Sequence, residues 1–181
     1  MESILALDGQ ILLFIQEHIR IEWLNPLVTF ITTLGNKGYV WIALAVVLLC
    51  IPRSRRWGLS CAIALLIGFL VTNITLKNMI QRIRPYDVIS TLNILVKPES
   101  SFSFPSGHSS SSLAAGWALF RSAPKWLGVP ALVLGVMIAL SRLYVGVHYP
   151  TDVLAGILVG ILAAEAAVRT VKSLAAKRVR E

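Results

Sequence analysis

The sequence of 181 residues has little charge and little cysteine. Asp, Glu, Lys and Arg make up only 14% of it, hydrophobic residues make up 56%, and the mean hydropathy is +0.73. Soluble domains are nearer one quarter charged, so these values exclude a disordered or collagen-like chain and argue against an ordinary cytosolic domain. Two cysteines, Cys50 and Cys61, are too few for a disulfide-stapled fold, and we interpret them as small packing residues.

The apolar residues that are present form stretches of membrane-helix character. At about 20 residues per crossing they predict an all-α fold, a polytopic transmembrane helix bundle of about five to six membrane helices. The clearest predicted crossings are 39–51, 58–76, 107–120, 126–145 and 151–168. Small residues in 107–120 predict a central helix, and Gly156 and Gly160 predict close packing within the chain.

The N-terminal segment 3–22 differs from these crossings. Its apolar residues have helical spacing, but six polar or charged side chains interrupt them. We therefore predict an amphipathic N-terminal helix that lies at the membrane interface, with a crossing as the alternative. The whole chain, 1–181, is treated as one integral-membrane domain. Its predicted parts are interfacial and short helices (1–36), a core bundle (38–170) and a basic cytoplasmic tail (171–181).

The basic residues predict the orientation of the bundle. Ten of the 17 lie on one side of the predicted crossings: Arg53, Arg55, Arg56, Arg121, Lys125, Arg169, Lys172, Lys177, Arg178 and Arg180. The other seven lie on the opposite side: Arg20, Lys37, Lys77, Arg82, Arg84, Lys97 and Arg142. By the positive-inside rule the richer side is cytoplasmic, so the polar segment 78–106 faces outward.

Three short motifs fall on this outward side. They are Lys77-x6-Arg84-Pro85, Pro105-Ser106-Gly107-His108 and Ser141-Arg142-x5-His148-x3-Asp152. Charged groups near membrane depth are costly and indicate function. The complete ordered set closely resembles the type-2 phosphatidic acid phosphatase superfamily, which includes integral-membrane lipid phosphatases and is related in its active site to vanadium haloperoxidases. The resemblance covers roughly 25–168.

The residue types in these motifs suit a phosphate group. Phosphoryl transfer spreads negative charge over three oxygens, and three fixed cations match it: Lys77, Arg84 and Arg142. Gly107 lets the backbone approach closely at a helix start, whose free N–H groups bind phosphate oxygens. Ser106 adds a hydroxyl donor, a role compatible with that of an ordinary helix cap.

The two motif histidines take different predicted roles. His148 has Asp152 four residues on, a spacing that lets the carboxylate hold one ring nitrogen while the other attacks phosphorus. His108 has no acid near it in sequence and fits the general acid that protonates the leaving group. The family resemblance implies the same assignment, a phosphohistidine on His148 that water hydrolyses, with no metal required.

We predict no metal and no cofactor. His108, His148 and Asp152 are the residue types of a two-histidine, one-carboxylate metal site. Lys77, Arg84 and Arg142 would repel a divalent ion there. The basic residues follow the membrane topology instead of forming one patch, which argues against a nucleic-acid partner.

The predicted function is hydrolysis of a lipid phosphate ester or pyrophosphate at the outer leaflet of a bacterial inner membrane. Undecaprenyl pyrophosphate is the first candidate substrate, followed by phosphatidylglycerophosphate and phosphatidate, with lipid A phosphates also open. A non-enzymatic lipid carrier or scramblase is the alternative of another class, and a haloperoxidase is disfavoured by composition. The predicted partners are the lipid substrate and the bilayer; the oligomeric state is left open.

Overall fold

A computed structural model describes residues 2–177 and shows only helices and connections within that range, which confirms the predicted all-α class. The last residues of the predicted basic tail, 178–181, lie outside it. The helices are α1 (Glu2–Phe14), α2 (Asn25–Leu34), α3 (Tyr39–Cys50), α4 (Arg55–Phe69), α5 (Lys77–Ile80), α6 (Pro85–Val88), α7 (Gly107–Ser122), α8 (Lys125–Tyr144) and α9 (Pro150–Lys177).

Helices α4 and α5 form one continuous rod through a π-helical segment, Leu70–Leu76. The rod ends at Gln81, whose φ of 49° is left-handed and stops the helix. The sequence predicted a crossing over 58–76, so the helix extends beyond it at both ends. This extension carries Lys77 past the apolar stretch to the polar end of the bundle.

Three helical stretches of the described chain are long and apolar enough to cross a membrane: Arg55–Val88, Lys125–Tyr144 and Pro150–Lys177. The pair Glu22–Leu34 and Asn36–Cys50, bent by 44°, makes a fourth if it is one broken span. The expected count of five to six is therefore not confirmed. Helix α7 has only 16 residues and a serine-rich first half, so it falls short of these criteria.

Large apolar side chains cover the outside of the long helices. On α8 and α9, Val133, Leu140, Leu154, Leu158 and Leu162 are each more than half exposed. An unbroken apolar exterior of this kind is unfavourable in water and favourable in hydrocarbon. The chain is an integral membrane protein.

Helix α7 lies at the centre and packs against α4, α8 and α9, as its small residues predicted. Two glycines of α9 make the close approach possible. A Cβ on Gly156 would come within 2.6 Å of the Ser106 carbonyl oxygen, and one on Gly160 within 2.5 Å of the Ser110 carbonyl oxygen. The predicted packing role of these glycines within the chain is confirmed, and the tight α7–α9 contact sets the position of Ser106.

Helix α1 packs onto the same end of the bundle as the motif residues. Leu12 is buried with Leu92 and Tyr149, whereas Leu7 and Phe14 are exposed. Asp8, one of the polar residues that interrupt the segment, is only 2% exposed. The interfacial position predicted for 3–22 stays a prediction.

Candidate active site

The three motifs meet at one end of the bundle because the helices that carry them alternate in direction. Lys77 lies at the end of the α4–α5 rod and Arg142 in the last turn of α8, whereas Gly107 begins α7 and Asp152 lies in the first turn of α9. His148 lies in the short connection between α8 and α9. Arg84 precedes α6, in the segment between the rod and α7. Six chain segments therefore contribute to one site.

Arg84 and Arg142 both bind the carboxylate of Glu99. The Nη2 atom of Arg84 donates to Glu99 Oε2 at 2.6 Å, and the Nη2 atom of Arg142 donates to Glu99 Oε1. Both guanidiniums are buried, while the Glu99 side chain is 27% exposed. The Nε atom of Arg142 is buried and has no hydrogen-bond partner among the described residues. The arginine pair thus forms an anion site, in which the Nε–H group of Arg142 is one further donor.

Lys77 joins this anion site through a serine of the 81–106 segment. Its Nζ atom donates to Ser101 Oγ at 3.0 Å, and Arg84 Nη2 lies 3.2 Å from the same oxygen. Arg84 is fixed further by bonds to the carbonyl oxygens of Ser101 at 2.8 Å and Val147 at 3.0 Å. These backbone acceptors hold the guanidinium rigidly, so the cation is positioned before any ligand arrives.

His148 lies beside Arg84 and is completely buried. Arg84 Nη1 is 3.3 Å from His148 Nε2, and His148 Nδ1 is 3.5 Å from Asp152 Oδ2. This arrangement fits a neutral ring with its proton on Nδ1 and its lone pair on Nε2. Burial, reinforced by Arg84 and Arg142, lowers the pKa of His148 well below its usual range, so the neutral form of the ring is favoured.

The Asp152 carboxylate is fully buried and held by four groups. Oδ2 accepts from Ser103 Oγ at 2.5 Å and from the backbone N–H of Tyr149 at 2.9 Å, besides facing His148. Oδ1 accepts from Arg82 at 2.7 Å. A buried charge needs such compensation, and the result is a carboxylate with one fixed orientation toward the imidazole.

Ser106 caps α7, and Gly107 follows it. The Ser106 oxygen accepts from the backbone N–H of Ser109 at 3.3 Å, and the Ser106 N–H donates to the Asp152 carbonyl at 3.0 Å. A Cβ on Gly107 would come within 3.2 Å of the Asn73 side chain, so the backbone is tightly approached there. Ser106 acts as a helix cap, the role that sequence reasoning left open beside phosphate binding.

His108 lies at the mouth of the site, on the side of α2 and α3. Its Nε2 atom is 3.0 Å from Asn36 Oδ1, which as an acceptor calls for a proton on that nitrogen. Lys77, Glu99 and His108 line the polar end of one cavity. The second histidine therefore lines the same cavity as Lys77 and Glu99.

Glu99 sits in a strongly positive environment. Burial alone would raise the pKa of its carboxyl, but the guanidiniums of Arg142 and Arg84 outweigh burial and lower it to about 2. The group is ionised at every physiological pH. It therefore occupies the arginine pair as a permanent negative charge.

The structure assembles all eight candidate residues and adds four that sequence reasoning did not assign: Asn36, Arg82, Glu99 and Ser103. Glu99 carried a faint signal, since it and Asp87 are the only acids in the polar segment 78–106. Ser103 and Asn36 carried none, because serine and asparagine are ordinary in loops. Among the described side chains, those of residues 5–177, no three His, Cys, Asp or Glu converge as metal ligands would.

Comparison with known proteins identifies the group to which this site belongs. The model of the PAP2 superfamily matches residues 57–175, well over half of the chain. The chain belongs to the PAP2 superfamily. This PAP2 match contains all three motifs, which confirms the resemblance seen in the sequence.

Similar proteins include two that are named as phosphatases and one solved structure. The chain is 32% identical to the undecaprenyl-diphosphatase of Sulfolobus acidocaldarius, over 78% of this chain and 68% of that protein. It is 33% identical to phosphatidylglycerophosphatase B of Bacillus subtilis, over 80% of this chain and 73% of that protein. The crystal structure of a transmembrane PAP2-type phosphatidylglycerolphosphate phosphatase from Bacillus subtilis matches with a TM-score of 0.74 and 29% identity, over 98% of this chain and 88% of that one.

Proposed function

We propose that this PAP2 protein is a membrane lipid phosphatase that acts at the outer leaflet, with undecaprenyl pyrophosphate as its first substrate. One observation carries the proposal: Arg84 and Arg142 hold an anion directly beside the neutral imidazole of His148. A phosphate in the place of the Glu99 carboxylate would meet two guanidiniums and a nitrogen lone pair together. The relatives named as lipid phosphatases support the same reading.

A cavity supports a lipid substrate. It has a volume of about 1320 Å³ and runs from the polar site between α3 and α4. Its walls include Leu49, Leu65 and Phe69, and its polar end includes Lys77 and His108. Apolar walls with a few convergent polar groups are typical of ligand pockets. An acyl or prenyl chain fits the apolar part, with the phosphate at the cationic end.

The proposed reaction has two displacement steps. The Nε2 lone pair of His148 forms a bond to phosphorus while the bond to the leaving oxygen breaks. His108, protonated on both ring nitrogens while the phosphate anion lies beside it, gives that oxygen a proton and is left neutral. Water then attacks the phosphohistidine, the phosphorus–nitrogen bond breaks, and His108 takes up the proton. Lys77, Arg84 and Arg142 bind the charged oxygens, Ser106 and Gly107 shape the helix start beside them, and Asp152 orients the imidazole.

A panel of lipids tests the substrate. Purified protein in detergent is given undecaprenyl pyrophosphate, phosphatidylglycerophosphate, phosphatidate and a lipid A phosphate, and released phosphate is measured. We expect the highest kcat/KM for undecaprenyl pyrophosphate and none for any lipid with His148→Ala. Phosphatidylglycerophosphate is the second candidate, because a solved relative of high coverage carries that activity. Full activity in His148→Ala would support a carrier or scramblase instead.

Metal independence is a separate part of the proposal. Three cations surround His148, and they would repel a divalent ion. We expect phosphate release to persist in excess EDTA. Loss of activity with EDTA that one specific metal restores would refute this part and leave the lipid phosphatase assignment standing.

The orientation is tested by labelling single cysteines from outside the cell. We place the site on the outer face of the plasma membrane and the C-terminal end of α9 in the cytoplasm, following the basic residues. In a Cys50→Ser background, Ser90→Cys should react with an impermeant thiol reagent and Arg55→Cys should not. Reaction only at position 55 would invert the orientation.

A further inference from the structure

A buried charge network joins helix α1 to the orienting carboxylate of the site. Arg82 lies between two acids: its Nη2 atom donates to Asp8 Oδ2 at 2.7 Å, and its Nη1 atom donates to Asp152 Oδ1 at 2.7 Å. The side chains of Asp8, Arg82 and Asp152 are 3%, 14% and 0% exposed. Charge pairs with so little exposure to water interact strongly.

Thr151 closes this network into a ring. Its hydroxyl accepts from Arg82 Nη1 at 2.7 Å and donates to Asp8, and its backbone N–H donates to Asp8 Oδ1 at 3.1 Å. The guanidinium also stacks on the Tyr149 ring, 3.8 Å from its centroid. Arg82 is thereby held by an ion pair on each side, a hydroxyl and an aromatic face, and it has one position relative to Asp152.

Arg82 has a different place from the phosphate-binding cations. Arg84 and Arg142 donate to Glu99, which stands in the anion site. The side-chain hydrogen bonds of Arg82 go to Asp8, Thr151 and Asp152, on the far side of the carboxylate from the imidazole. Loss of Arg82 should therefore disturb the orientation of His148 and leave phosphate binding unchanged.

We propose that Arg82 is a positioning residue for the His148 nucleophile, acting through Asp152, and that Asp8 of helix α1 fixes the position of Arg82 and balances part of its charge. This inference rests on the proposed function. It assigns helix α1 a part in the reaction: the helix supplies the second acid that balances Arg82, so the orienting carboxylate is not fully neutralised.

The charges around Asp152 and His148 determine whether a variant raises or lowers the pKa of His148. Asp152 faces Arg82, His148 and Tyr149, with Asp8 behind Arg82. His148 is surrounded by Asp152, Arg84, Arg142, Lys77 and Glu99. Removing the positive Arg82 favours the protonated form of His148, and removing the negative Asp8 disfavours it. The two variants should therefore move the titration of His148 in opposite directions.

Kinetics and NMR of the full-length protein in detergent test the proposal. For Arg82→Gln we expect kcat to fall about 10- to 100-fold, as when a partner that orients a catalytic ligand is lost, with KM changed less than about twofold. Arg82→Lys keeps the charge and should recover part of kcat.

The chain has three histidines, so ¹⁵N-histidine spectra can follow His148 directly. Its midpoint should rise by about half a pH unit in Arg82→Gln and fall in Asp8→Asn.

Arg20→Gln is the matched control. Arg20 also fastens the N-terminal segment to the bundle, through the carbonyl oxygens of Tyr144 and Asn93, and its bonds do not reach Asp152. Arg20→Gln should lower the melting temperature without changing the pKa of His148. An unmoved titration or an unchanged kcat in Arg82→Gln would overturn the inference while the wild type still released phosphate. If Arg82→Gln does not fold, the titration in Asp8→Asn decides, and no downward movement there refutes it. A wild type inactive on every lipid would instead overturn the proposed function.

Discussion

Replacing Glu99 with glutamine should tighten the binding of phosphate-like anions. The Glu99 carboxylate bridges Arg84 and Arg142, the two cations that a phosphate would use. Any anion that enters must displace it. Glutamine keeps the size and the oxygen acceptor but removes the charge, so the arginine pair becomes easier for phosphate to occupy.

The size of the effect follows from the charge that the arginines stabilise. The pKa of Glu99 is lowered to about 2 from an ordinary value of 4.5. At about 1.4 kcal/mol per pH unit, the site favours the ionised carboxylate by roughly 3 kcal/mol. In Glu99→Gln, an entering anion no longer has to displace a charged carboxylate, so its binding gains part of this free energy. We therefore expect the dissociation constant to fall about 10- to 100-fold, since each 1.4 kcal/mol is about tenfold.

Orthovanadate, a mimic of the five-coordinate phosphoryl group, is the probe. Its dissociation constant is measured from inhibition of phosphate release and, independently, from protection against thermal unfolding. Glu22→Gln is the control, because it removes the same charge from an exposed position. Equal or weaker vanadate binding in Glu99→Gln would refute the view that the carboxylate competes for the arginine pair.

Three further outcomes are expected. Because the folded-state pKa of Glu99 lies below 4.5, its contribution to stability is complete above pH 4.5 and lost as the pH falls toward 2; the melting temperature should drop over that range, and less so in Glu99→Gln. Asp152→Asn should retain more phosphate release than His148→Ala if the carboxylate only orients the ring, and equal losses would contradict that role. Gly160→Ala should lower the melting temperature by several degrees, because its methyl group meets the Ser110 carbonyl oxygen at 2.5 Å.

The helices were largely predictable because apolar stretches and their breaks are local signals. Helices α3 and α8 begin and end within about one residue of the predicted crossings. Helix α1 was harder. Its acid Asp8 suggested a side chain facing water or headgroups, whereas Asp8 is buried against Arg82 and Thr151. Those partners lie 74 and 143 positions further along the chain, so no local pattern revealed them.

The site was predictable as far as its motifs reached. Arg84, His148 and Asp152 stand at fixed spacings at helix ends, and the fold brings them together. Glu99 and Ser103 belong to an irregular segment without periodicity, so their positions depend on how the loop folds back over the cations. Sequence reasoning named residues that the fold brings together, and it did not find Glu99 and Ser103, which contact them.

The shortness of α7 has a consequence for the depth of the reaction. Its 16 residues span roughly 24 Å, whereas the hydrocarbon layer is about 30 Å thick. If α7 crosses the bilayer with its far end at one interface, its N-terminal end lies about 6 Å below the other. In the proposed reaction, both water and the lipid headgroup would have to reach this depth, and local thinning of the bilayer would shorten the path. Turnover should therefore be faster in membranes of shorter-chain lipids, where this depth is smaller.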